Sequence, residues 1–172
     1  MGPEPVDAAG VRVWAPLAYE GPAREVVRAL KFHGARRAAP AMAAQIAANA
    51  PPGWLQRAAL VPVPLHPARA RKRGYNQALE IARALAARTG RELADCLARA
   101  GPRGTQVGRD RRQRLAGIAG GIRLVAERAP PRAVLVDDVV TTGATLAACA
   151  RVLLDHGSGE VMAVAYARTP GR

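Results

Sequence analysis

Residues 134–146 read VLVDDVVTTGATL, and this stretch decides the fold. Val134, Leu135 and Val136 form a continuous aliphatic run after the breaker pair Pro130-Pro131, the pattern of a strand buried on both faces of a parallel sheet. Leu146, Cys149, Val152 and Leu153 then recur at helical spacing until Gly157 stops the run. The residues between them are expected to form a loop that leaves the C-terminal end of a strand and opens a helix. Ligands of open α/β sheets bind at that edge, and the free amides of a helix start favour an anion. Gly143 permits close backbone approach, and Thr141, Thr142 and Thr145 can add hydroxyl donors. Asp137 and Asp138 would repel a phosphate, so they must face donors: sugar hydroxyls, a metal, or water around a metal. Phosphate plus polyol is a sugar phosphate. The same residue types also suit a plain strand-to-helix turn or a metal-binding acidic strand end.

At 172 residues the chain suits one α/β domain and is short for two, so residues 11–172 are expected to form a single domain behind a flexible tail of residues 1–10. No run of eighteen apolar residues exists, and the opening MGPEPVDAAG lacks the basic and apolar regions of a signal peptide, so a cytoplasmic protein without a membrane span is expected. Cys96 and Cys149 have no metal-ligand spacing and lie in apolar contexts, as buried free thiols do. The net charge of +13 is carried by arginine, with Lys31 and Lys72 as the two lysines. Such a balance suits polyanions, or a solvated basic surface. An aromatic content of 3% argues against single-strand binding built on base stacking.

Strands are expected at Val11, Val13, Ala15 and Leu17, which alternate, at residues 60–63, at Ile122 and Leu124, and at Val161, Ala163 and Ala165. Helices are expected from Gly21-Pro22 to Gly34, over residues 40–49, and from an Asn76 N-cap to Gly90. Residues 92–99 fit a strand or a short helix equally. Lys31 and His33 sit at a helix end, where a cation satisfies the terminus, and neither is expected in the chemistry. Residues 64–77, PLHPARARKRGYNQ, read as a long basic loop with His66 on its surface, and residues 101–118 as a mobile basic loop entering a charged helix. Alternating strands and helices imply a mostly parallel sheet flanked by helices, and right-handed crossovers bring successive strand ends to one edge.

The run DDVVTTGAT resembles the phosphoribosyl-pyrophosphate loop of type I phosphoribosyltransferases. ALKFHG (29–34), LVPVPLH with RGYNQA (60–78), TQVGRDRRQRLAGI (105–118), VLVDDVVTTGATL and the terminal VAYAR resemble, in order, the blocks of the ComF family, phosphoribosyltransferase-like proteins associated with DNA uptake in competent bacteria. The resemblance implies a type I phosphoribosyltransferase-like fold. In it Thr141, Thr142, Gly143, Ala144 and Thr145 hold the 5′-phosphate of phosphoribosyl pyrophosphate, and Asp137 with Asp138 holds the ribose hydroxyls. It also implies Mg2+ as cofactor and a phosphoribosyltransferase whose acceptor no motif reveals. Arg69, Arg71, Lys72 and Arg73 would then face the pyrophosphate. Arg109, Arg111, Arg112 and Arg114 would close over it from the mobile loop. No residue is assigned as catalytic base or direct metal ligand. The alternative is a non-catalytic module that binds single-stranded DNA or a DNA-uptake helicase. Two departures stand out: the chain has no four-cysteine zinc ribbon, and Gln113-Arg114-Leu115 replaces the usual Asn before Leu.

Overall fold

The strand expected at residues 134–136 is the middle of a longer one, β7 (Arg132–Val140). In the computed structural model, which describes residues 3–32, 36–99 and 121–170, β7 lies between β4 (Ala59–Pro62) and β8 (Glu160–Arg168), parallel to both. Along its other edge β8 pairs in parallel with β2 (Val11–Trp14) and then with β3 (Leu17–Ala18). Pro16, which has no amide hydrogen for a ladder, separates these two short strands. An antiparallel strand, β1 (Val6–Ala8), closes that side, giving a six-stranded sheet with the order β1-β2-β8-β7-β4. The fold is therefore α/β, with a mostly parallel mixed sheet flanked by helices.

Alternation along β7 builds a core on each face. Ala133 and Leu135 pack with Leu146, Cys149 and Leu153 of α5 (Ala144–Asp155). The same layer holds Leu97 of β5 (Leu97–Arg99) and Ile122 of β6 (Ile122–Leu124), an antiparallel pair beside the main sheet. Val134 and Val136 face the opposite layer. There Val27 and Leu30 of α1 (Gly21–Phe32), Met42 and Ile46 of α2 (Ala38–Asn49) and Ile81 and Leu85 of α4 (Gln77–Thr89) are all fully buried. Cys96 and Cys149 are buried free thiols, and burial raises both, Cys149 to about 12. Among the described residues no helix is long and apolar enough to cross a membrane.

Three expectations change. Residues 64–77 are not one loop: Pro67–Arg73 forms a helix, α3, capped by the His66 ring nitrogen, which accepts from the Ala68 amide at 3.2 Å. Proline at its first position and Gly74, left-handed at φ 75°, at its end are ordinary helix punctuation. The expected tail also differs, because β1 belongs to the sheet and the Trp14 indole donates to the Pro3 carbonyl at 2.9 Å. Finally, β7 carries Asp137 and Asp138 inside the strand, with Asp137 beside Ala165 and Val139 beside Ala167 of β8. Residues 101–118 lie outside the described residues.

Candidate functional site

The C-terminal ends of β4 and β7 open into a cleft of about 220 Å3 lined by Lys31, His66, Arg69, Arg73, Gln77, Arg99, Asp137, Asp138, Thr141 and Thr145, among others. A smaller hollow of about 50 Å3 adjoins it, formed by Asp137 and residues 139–146. The hollow is the start of α5. Its N-cap position is Gly143 at φ 77°, with no side-chain cap, so amides of the first helical turn beyond that of Ala144 are left for other acceptors. Thr142 does not take the cap position; its Oγ1 accepts from the Ala144 amide at a long 3.4 Å. The turn is set close against β1, since a Cβ on Gly143 would lie 2.7 Å from both the Ala8 Cβ and the Ala8 carbonyl oxygen. Glycine is required there twice, by the left-handed dihedral and by this approach.

The two carboxylates reach the cleft from opposite sides of β7, because successive strand residues alternate. Asp138 turns toward α1, where its Oδ2 lies 3.1 Å from Lys31 Nζ. Asp137 turns toward the α5 layer, where its charge contributes to raising the Cys149 thiol. Protein atoms surround the Asp137 carboxyl, although part of the residue's surface still reaches the cleft. Burial first, and the Asp138 charge second, push Asp137 up to about 8, against the opposing effects of the Asp138 amide and Lys31. Asp137 is therefore harder to ionise than an ordinary aspartate, and while it keeps its proton it can donate as well as accept a hydrogen bond.

Helix α3 sorts the basic run. Arg69 and Arg73, four residues apart on one helix face, line the cleft and Arg71 and Lys72 do not, although Arg69 is as exposed to solvent as they are and only Arg73 is half-buried. Of the four cations expected at the pyrophosphate, Arg71 and Lys72 are therefore not brought to the cleft: the run is helical, so its cations cannot all face one way. Arg73 donates to Gln77 Oε1 at 3.1 Å, and the buried Gln77 Nε2 at the cleft wall has no hydrogen-bond partner among the described residues. Asn76 caps α4 as expected, accepting from the Ala78 amide at 3.1 Å, and its Nδ2 donates to the Val63 carbonyl at 3.0 Å, tying α4 to the end of β4. Arg109, Arg111, Arg112 and Arg114 lie outside the described residues.

Lys31, Arg99 and Gln77 were not expected in the cleft. Lys31 ends an amphipathic helix, and nothing local marks it as more than a terminal cation. Arg99 sits at the end of the segment that pattern left open between strand and helix. Gln77 directly follows the Asn76 cap, and that proximity is the one sequence signal that places it near the strand end.

No protein-family model matches this chain, and no curated protein does. The functional reading rests on the cleft.

Magnesium can be tested against the donors present. No group of three or more His, Cys, Asp or Glu side chains among the described residues could enclose a metal ion. A magnesium ion that keeps its waters and rides on substrate phosphates needs only one or two carboxylates, which Asp137 and Asp138 can supply.

Proposed function

We propose that this chain is a type I phosphoribosyltransferase-like protein of ComF type that binds magnesium phosphoribosyl pyrophosphate and transfers phosphoribose to an acceptor, in the setting of DNA uptake. The observation that carries the reading is the meeting, in one cleft, of an uncapped helix start, two carboxylates and a cationic helix face. The amides at residues 143–145 and the Thr141 and Thr145 hydroxyls would hold the 5′-phosphate at the positive end of α5. Asp137 and Asp138, on the two sides of β7, would take the ribose hydroxyls between them. Arg69 and Arg73 would face the diphosphate. Magnesium, when bound, would neutralise diphosphate charge and favour its departure. Loss of diphosphate, as the C1–oxygen bond breaks with its electron pair, would leave an oxocarbenium-like ribose, and the acceptor would attack the anomeric carbon, passing any proton it carries to the departing diphosphate or to solvent. The cations stabilise the departing negative charge, and no side chain need act as base for that step.

A second reading, a non-catalytic nucleic-acid module, draws support from the outward face of α3, where Arg71 and Lys72 are exposed. One set of variants separates the two. Arg69→Ala or Arg73→Ala should weaken phosphoribosyl pyrophosphate binding by about tenfold or more, the loss of a charge-assisted hydrogen bond. Arg71→Ala with Lys72→Ala should leave it within about twofold, as surface charges do. Sugar-phosphate affinity that falls equally in both sets would contradict the assignment. Loss of salt-sensitive single-stranded DNA binding confined to the Arg71 and Lys72 variant would favour the second reading.

A further inference from the structure

Lys31 lines the cleft and belongs neither to the phosphate cradle nor to the arginine face of α3. Its side chain is 21% exposed, and that of its partner Asp138 is 11% exposed, so their contact at 3.1 Å is a largely desolvated ion pair. The end of α1 that carries Lys31 is fixed by the Arg73 to Gln77 segment. The Tyr75 hydroxyl donates to the Leu30 carbonyl, one residue before Lys31. The Arg36 guanidinium stacks 4.6 Å from the centre of the Tyr75 ring and donates to the Gly74 carbonyl at 3.4 Å. Lys31 is thus held beside Asp138 by the same chain segment that supplies Arg73.

The cleft sets a polyanion next to a buried carboxylate, and the two repel unless a cation stands between them. A lysine suits that position. It has three donors on a flexible stem and binds phosphate as a point charge, so it can keep Asp138 with one donor and offer the others to the ligand. We propose that Lys31 is a specificity-determining residue that bridges Asp138 and the diphosphate of the bound sugar, so that the cleft prefers a ribosyl diphosphate to a ribose monophosphate. This rests on the sugar-phosphate reading of the cleft. It assigns to α1, outside the phosphate loop, the choice of what stands at the anomeric carbon.

The test titrates wild type, Lys31→Met and Lys31→Arg with magnesium phosphoribosyl pyrophosphate and, separately, with ribose 5-phosphate. Methionine keeps the stem and removes the charge. Lys31→Met should lose about ten- to a hundredfold in affinity for the diphosphate and no more than about threefold for ribose 5-phosphate, and Lys31→Arg should recover part of the loss. A Lys31→Met protein that loses both ligands equally would overturn the proposal, because Lys31 would then act only by holding Asp138. A double-mutant cycle decides the matter even if Lys31→Met is less stable. In an Asp138→Asn background the removal of Lys31 should still cost diphosphate affinity; no further loss there overturns the bridge. Wild-type protein that binds neither ligand would instead overturn the sugar-phosphate reading itself, and the bridge with it.

Discussion

Gly143→Ala should remove sugar-phosphate binding altogether and lower stability by about 2–5 kcal/mol, the sum of a left-handed dihedral forced on a residue with a Cβ and of overpacking. The steric part is specific. The new methyl would meet the Ala8 Cβ and carbonyl oxygen at 2.7 Å, so either β1 or the turn must move. Moving the turn displaces the amides at the start of α5 and with them the proposed anion site. Ala8→Gly in the same chain removes the methyl contact but not the carbonyl contact, so it should restore part of the stability and little of the binding. Denaturant midpoints and ligand titration of the single and double variants check this. A Gly143→Ala protein with wild-type midpoint and affinity would remove the turn from the site.

Asp137→Asn should flatten the dependence of stability on pH. An unfolded aspartate gives up its proton near pH ~4, whereas burial and the neighbouring Asp138 charge hold that of Asp137 up to about 8. Between those values the folded state binds more protons than the unfolded one, so stability present below pH ~4 is lost as pH rises toward 8. Asparagine cannot ionise. Compared with wild type it should be similar near pH 4 and more stable above pH 8, on the order of a few kcal/mol once coupling to Asp138 is allowed for. Thermal melts of both proteins across this range are the measurement. Parallel curves would mean that Asp137 ionises at its ordinary value and is not enclosed as described. The extra stability should come with weaker ligand binding, as expected where a site retains a group that the fold alone would not favour.

The residues that carry the fold are local in their signals, and they were legible. The run at 134–136, framed by Pro130-Pro131, has the pattern of a buried strand and is one, and the Asn76 and Gly90 caps bound α4 on both sides. What misled was chemistry that local pattern weighs wrongly. ARARKR suggests a loop because it is charged, yet Pro67 and Gly74 frame a helix, and the helix then divides the cations into Arg69 with Arg73 along the cleft and Arg71 with Lys72 away from it. Two aspartates disfavour a strand, yet β7 continues through them because β8 pairs with it along its whole length. That continuation turns a side-by-side acidic pair into two carboxylates on opposite faces. The β1–β2 hairpin turns at Ala9-Gly10 with positive φ at both residues, a turn in which alanine stands where Asn or Asp would have signalled it. Lys31 reaches Asp138 across more than a hundred residues of chain, a contact that exists only once α1 packs on the sheet.

The function proposed for this cleft is to bind a sugar bearing a phosphate at one end and a diphosphate at the other. Calorimetric titration with phosphoribosyl pyrophosphate, with and without magnesium and with inorganic pyrophosphate and ribose 5-phosphate as controls, tests it most directly. Magnesium-dependent binding of phosphoribosyl pyrophosphate, tighter than that of either control, is the expected result. Binding no tighter than that of pyrophosphate alone, or none at all, would contradict it.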